Sequence, residues 1–367
     1  MNTIIRRRLR LSPKLLLYSF PKSSFFFFST TTSDSVSFTI SYLTNTCGFT
    51  REAALKLSKR LRFNTAQKPD SVISFFQTHG FSAAQIHRIL SLSPELMVCN
   101  PTRRLLPKFH FLASKGFSAS DVVSIVAKNP RFLCQSLENR IFPTFQLIRR
   151  FFPSDLRALA VYIACPSVIG HCRVASNVER LLDAGVSHAG IRHLLSSRPL
   201  VLCFNLRTPL EEVKLLGFDP LKVTFAVALV AKRTVSKPLW DAKVAVLKKW
   251  GWSEDEVLVA FRKQPTMMLC SLEKLDAVAG LWAGRLGWDR SALIAYPSLF
   301  LYSLEKRLVP RALVLQHLLS RGLVKKDANF VTPFCRSDEG FLEKYVTSFE
   351  EETPRLLELY QKGQGAC

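Results

Sequence analysis

Large apolar residues recur along this chain in step with glycines and prolines, at an interval of roughly 34 residues. Glycines stand at Gly48, Gly80, Gly116, Gly185, Gly217, Gly251, Gly287 and Gly322, and Phe152 occupies the mark missing from the one double-length interval. Successive spacings then run from 32 to 36 residues. Two places after each mark come Thr50, Ser82, Ser118, Ser154, Ser187, Asp219, Ser253 and Asp289, all types whose side-chain oxygen accepts from the free amides of a helix start. Val324 breaks this series in the last unit. Between mark and cap stands a large apolar residue, Phe49, Phe81, Phe117, Val186, Phe218, Trp252 or Trp288, and four places past the cap comes Ile86, Val122, Ile191, Val223, Val257 or Leu293. These are the two positions of a hydrophobic staple. Ser118 with Asp121 and Ser253 with Glu256 also have capping-box spacing. Each mark therefore ends one helix at a glycine and starts the next at a cap.

Fourteen residues after the mark comes Pro94, Pro130, Pro166, Pro199 or Pro265, which stops the second helix because proline lacks an amide hydrogen and restricts the residue before it. Pro297 follows Gly287 after only ten residues, a loss of about one helical turn. Pro107, Pro143 and Pro310 then open the first helix of the next unit. Each unit reads as helix, glycine turn, capped helix, proline break and short third segment. One such unit cannot bury its own apolar faces, so neighbours must stack. The expected fold is all-α, an α-solenoid of about eight to nine repeats of roughly 34 residues.

The period alone does not separate the known helical repeats, but the proline pattern does. The tetratricopeptide signature is absent. The apolar triplets after the prolines, in SPELMVC, NPRFLCQSLENRIFP, RPLVLC, QPTMMLCSLEK and YPSLFLYSLEKRLVPR, resemble the mitochondrial transcription termination factor (mTERF) family. SLEKRLVPR at 303 to 311, FLEKYV at 341 to 346 and the opening FTISYLTNTCGFTREAALKLSKRL resemble its plant organellar branch. The resemblance covers residues 38 to 346; Phe152 for glycine, the missing proline near Ala231 and the short seventh unit depart from the pattern. It implies a stacked-helix protein that binds double-stranded DNA, or in some members RNA, along a positively charged path. It also implies a role in organellar transcription termination or initiation, or in intron or ribosomal RNA processing.

Charge narrows the partner. Lysine and arginine number 51 against 28 acids, giving +23 and a pI near 9.9. Such an excess costs self-repulsion unless a polyanion is the partner. The first 33 residues contain no acid, while Arg6, Arg7, Arg8, Arg10, Lys14 and Lys22 lie among leucine, phenylalanine, serine and threonine. That is transit-peptide composition, and the early arginines favour the mitochondrion over the chloroplast. Its removal leaves +17, so the basic character belongs to the mature chain. No apolar run approaches the ~20 residues of a spanning helix. The expected organisation is an import segment over 1–35, a repeat array over 36–336 and an acidic cap and tail over 337–367.

Basic residues recur nine or ten places after the prolines, at Arg103, Arg104, Arg140, Lys274, Lys306 and Arg307, with Arg173 and Arg207 near the same place and Arg311 just beyond. Equivalent positions in a solenoid lie along one line, so these charges are candidates for contact with a phosphate backbone; the plainer reading is a solvated face. Cys99, Cys134, Cys203 and Cys270 share one slot, four or five places after a repeat proline, and read as small apolar core residues. With no CxxC pair and scattered histidines, neither a metal nor any other cofactor is expected. Trp250, Trp252, Trp282 and Trp288 could stack on bases, but Trp252 and Trp288 hold the staple position and read as core. No catalytic motif is present, so a binding protein rather than an enzyme is expected, monomeric and with organellar duplex DNA or RNA as partner. The alternatives are an RNA-binding splicing or ribosomal RNA processing factor, or a protein-binding scaffold. The seven acids after residue 336 offer a polar cap, or a docking tail for a protein partner.

Overall fold

The computed structural model describes residues 31–325 and 331–364. Apart from residues 31–35, which open the helix Thr31–Asn45, the expected import segment lies outside them. Among the described residues every regular element is helical. The chain forms two compact units, Met1–Gln67 and Lys68–Cys367. That division falls inside the expected 36–336 array, not at its ends.

In the first unit, the helix Thr31–Asn45 pairs with Arg51–Ser58 across the turn at Gly48. Thr39 is fully buried there, donating to the Phe63 carbonyl at 2.9 Å and accepting the Phe63 amide at 3.0 Å, while Phe38, Tyr42 and Phe63 pack ring against ring.

In the second unit the expected module repeats. The seven glycines of the ladder in this unit, like Gly48 in the first, have φ between +65° and +93°, which lets the chain leave one helix and enter the next within two or three residues. Ser82, Ser118 and Ser253 close full capping boxes with Gln85, Asp121 and Glu256, and Ser187 caps the Gly190 amide. The staple residues Phe81, Phe117, Val186 and Trp252 are buried with their partners Ile86, Val122, Ile191 and Val257.

Three cap positions differ from the pattern. Asp219 and Asp289 close turns on the amides of Leu221 and Ser291, and their helices start later, at Val223 and Ser291. Val223 is consequently exposed rather than stapled. Ser154 precedes its helix but caps nothing with its side chain. Where Phe152 replaces the glycine, arginines close the turn instead: Arg149 donates to the Phe152 carbonyl and Arg192 to that of Phe151, both at 2.8 Å.

Each repeat proline, Pro94, Pro130, Pro166, Pro199, Pro265 and Pro297, opens a 3-10 segment of three to five residues and is itself buried. These third segments pack on one another, Pro166–Val168 against Pro199–Cys203 and Pro265–Leu269 against Pro297–Leu301. The seventh unit is shorter by the expected turn, its second helix being only Ser291–Ala295. In the unit without its proline, the helix Val223–Thr234 buries six residues in succession from Phe225 to Ala231, except Val227, and Pro265–Leu269 of the next unit packs directly on it.

The acidic C-terminal stretch is integral to the array. Phe341, Val346, Leu356 and Tyr360 form one buried cluster with Val314 and Leu318, and the helix Thr353–Gln364 lies along Val309–Ser320. Close approach is required there, since a Cβ on Gly363 would come within 2.6 Å of the Pro310 Cα.

Candidate nucleic-acid interface

The basic positions are set by a second ladder of caps. Six residues after each repeat proline, or five after Pro166, stands Asn100, Ser136, His171, Asn205, Ser271 or Ser303. Each accepts a backbone amide at the start of the following helix, those of Arg103, Asn139, Arg173, Arg207, Lys274 and Lys306 respectively. Arg103, Arg104, Arg140, Arg173, Arg207, Lys274, Lys306 and Arg307 therefore all lie at the opening of a unit's first helix. Where third segments pack on one another, Pro166–Val168 on Pro199–Cys203 and Pro265–Leu269 on Pro297–Leu301, the openings that follow them, at Arg173 and Arg207 and at Lys274 and Lys306, belong to neighbouring units in contact. The sequence carried the signal for this ladder in its constant interval from the proline, beside the more conspicuous serines of the glycine marks.

The eight are not equally available. Arg103, Arg104, Arg140, Arg173, Arg207 and Lys306 are exposed, whereas Lys274 and Arg307 are half-buried. Arg104 donates to the Cys134 carbonyl at 3.3 Å and Lys274 to that of Leu301 at 3.2 Å, each tying a first helix to the third segment of its own unit. The side chains of Arg140, Arg173 and Arg207 have no hydrogen-bond or ion-pair partner among the described residues. Glu138, Glu273 and Glu305 share three of the turns. The unopposed positive charge is thus greatest at Arg103 with Arg104, at Arg173 and at Arg207.

Arg311, the ninth candidate, does not belong to this exposed row. Its side chain is fully buried, donating to the carbonyls of Pro333 at 2.7 Å, Phe334 at 3.2 Å and Arg336 at 2.8 Å and pairing with Asp338. Eight residues past the Ser303 cap, its place on the helix faces inward.

Arg311 is one of a set. Lys108, Thr144, Asn177 and Lys243 are likewise buried polar residues of first helices. Asn177 donates to the carbonyls of Leu202 and Phe204, and Lys243 to those of Met268 and Cys270. Asn177 and Lys243 thereby satisfy carbonyls at the end of a 3-10 segment that its own short ladder leaves free, whereas Lys108 and Thr144 donate within their own first-helix openings, to the carbonyls of Arg104 and Arg140. Burial, and for Lys108 the neighbouring Arg104 as well, pushes the lysine amines below their usual range.

The unit without its repeat proline fills the row differently. Lys232 and Arg233 end the helix Val223–Thr234, and Lys237 opens the next. Arg233 lies over the Phe204 ring at 4.2 Å; Lys232 lies over Trp240 at 4.2 Å and pairs with Glu212 at 2.9 Å. Cavities of about 510 and 580 Å³ share Arg233 in their walls. The missing proline was visible in the sequence, but not the cationic and aromatic cleft that replaces the third segment.

The tryptophans are engaged. Trp252 and Trp282 are buried, and Trp288 packs against Trp282 at 4.9 Å and Phe334 at 6.0 Å. Trp250 donates to Asp276 at 2.7 Å, and its ring lies on Gly280 and Gly284, where a Cβ would come within 2.8 and 2.9 Å. The four cysteines of the shared slot are free thiols. Burial raises their pKa values, with a hydrogen bond to Glu95 adding to the effect at Cys134; Cys134 and Cys203 reach about 12. Among the described residues no three histidine, cysteine or acidic side chains group as a metal site would need, and no helix is long and apolar enough to cross a membrane.

Glycine turns, proline-opened 3-10 segments and two ladders of caps together define an α-solenoid with a cationic side chain at a recurrent place. The mTERF family model matches residues 73–233 and 233–342, and the chain belongs to that family. Its members are organellar, nucleic-acid-binding helical-repeat proteins that regulate gene expression. No curated protein matches the sequence significantly.

Proposed function

We propose that this protein binds double-stranded nucleic acid, duplex DNA in the first place, through the exposed arginines and lysines of the first-helix openings, and that it acts in transcription termination or its regulation. The arginine-rich, acid-free first 33 residues support the mitochondrion as the compartment.

The observation that carries this reading is where the cations sit. The N-terminal turn of a helix bears the positive end of its dipole, and a cation there is disfavoured by roughly 0.3–1 kcal/mol. Arg103, Arg140, Arg173, Arg207, Lys274 and Lys306 all occupy that turn. Helix stability does not explain so regular a placement, and a solvated face would be served better by acids. A phosphate explains it, because amide dipoles and guanidinium groups then act on the same anion.

The test is binding of the mature chain to a duplex across a salt series. The logarithm of affinity should fall linearly with the logarithm of salt concentration, at about 0.9 per phosphate contacted. The triple variant R140A/R173A/R207A removes no internal hydrogen bond, so its unfolding should be near that of the unaltered protein, while its slope becomes shallower by up to about three. If the unaltered protein shows no salt-dependent binding to duplex DNA or to RNA, the reading falls and a protein-binding scaffold replaces it.

A further inference from the structure

Two stretches of the chain share one frame. SLENRIFP at 136–143 and SLEKRLVP at 303–310 each begin with a capping serine, pass through one π-helical turn, Leu137–Ile141 or Leu304–Leu308, and continue into a helix with proline near its start. Arg140 and Arg307 are the same residue of that frame. Arg140 is exposed, with no side-chain partner among the described residues. Arg307 is 28% exposed, its guanidinium over the Tyr302 ring at 4.9 Å and one nitrogen 3.6 Å from Asp338.

An exposed ion pair is ordinarily weak because both long side chains must be ordered to form it. Here the carboxylate is already ordered. Asp338 opens the helix Asp338–Leu342, Ser337 caps that helix through the Gly340 amide, and the same Asp338 oxygen that faces Arg307 also pairs with the fully buried Arg311. Arg311 is in turn fixed by three backbone carbonyls and the Phe341 ring at 4.7 Å. The fold therefore places beside Arg307 an ordered carboxylate whose single charge is shared with Arg311. Glu305 and Glu339, both exposed, add to the negative charge of the two turns involved.

We infer that the C-terminal cap weakens the cationic path at its end: Asp338, whose single charge is shared between Arg307 and the buried Arg311, stands where a phosphate would meet Arg307, so Arg307 adds little to the row and the last unit's contact falls to the exposed Lys306. An array of repeats otherwise has no built-in taper to its binding row, and this contact supplies one. The inference rests on the proposed nucleic-acid binding and adds the place where that binding weakens.

The test compares R140A with R307A in the full mature chain, using duplex DNA over a salt series. R140A is expected to make the salt slope shallower by about 0.9, and R307A to leave slope and affinity unchanged. In the D338N background the released arginine should make the slope steeper by about the same amount, and adding R307A should remove that gain. Thermal unfolding of D338N checks that Arg311 still holds the cap; if that variant fails to fold, the two arginine variants decide alone. Equal effects at Arg140 and Arg307, whether both large or both absent, overturn the inference. Absence of salt-dependent binding by the unaltered protein overturns the binding proposal itself, and is seen before any variant is made.

Discussion

Replacing Asn177 by leucine separates the structural polar residues of the first helices from those on the surface. Asn177 is 1% exposed, and its amide nitrogen donates to the carbonyls of Leu202 and Phe204 at 2.8 and 2.7 Å, tying the helix Cys172–Asp183 to the third segment Pro199–Cys203 of its own unit. Leucine has the same branching but is larger and cannot donate, so some overpacking adds to the lost hydrogen bonds. Leaving a buried acceptor without a partner costs about 1–3 kcal/mol, and the Phe204 carbonyl, being nearer solvent, lies at the low end. Burying the leucine side chain returns part of this, so the expected net loss is about 2–3 kcal/mol. N177D is the sharper perturbation. It keeps an oxygen for Arg180, which now donates to Asn177 at 2.8 Å, but turns a carboxylate towards two carbonyl oxygens, so it should cost more than leucine. Urea unfolding followed by helical circular dichroism measures both. N177L within about 0.5 kcal/mol of the unaltered protein would refute the idea that this side chain closes its unit, since that is the scatter of ordinary surface changes.

The capping ladder gives an internally controlled series: S118A and S253A should each lose about 1 kcal/mol, whereas S154A, whose hydroxyl caps nothing, should unfold with the unaltered protein. Equal losses at all three positions would contradict the assignment. His171 makes one cap pH-dependent, because its Nδ1 accepts the Arg173 amide at 3.2 Å only when that nitrogen is unprotonated. Burial, and then Arg173, lower its pKa from the ordinary 6.5, so below that pH the unfolded chain binds more protons than the folded one. This contribution is therefore fully present above pH 6.5 and is lost as pH falls towards the folded value; the denaturation midpoint of H171N, which keeps a capping acceptor, should fall less between pH 8 and 5.5.

What the sequence discloses here is what recurs locally. A glycine at positive φ, a serine three residues before the amide it caps and a proline at the start of a 3-10 segment act within one turn of chain, so their spacing carries their meaning. Asp219 and Asp289 mark the limit of that reasoning: the residue type suits a cap, yet each closes a tighter turn and the helix begins later. Contacts between residues about 25 positions apart, such as Asn177 with Leu202 or Lys243 with Met268, have no local signature. Net charge is silent on the same point. Lys108, Lys243 and Arg311 count towards the basic excess just as Arg140 does, but their ends lie inside the fold. Arg307 and Arg311, one helical turn apart in SLEKRLVPR, both read as phosphate contacts; only the fold reveals that one is buried and that a single aspartate pairs with the two. Among the basic residues of the first helices, those that remain available sit where their position works against helix stability, at the positive end of the dipole. A cation kept in an unfavourable electrostatic position, unit after unit, is better evidence of an anionic partner than the size of the net charge, because the charge total includes the arginines and lysines that hold the units together.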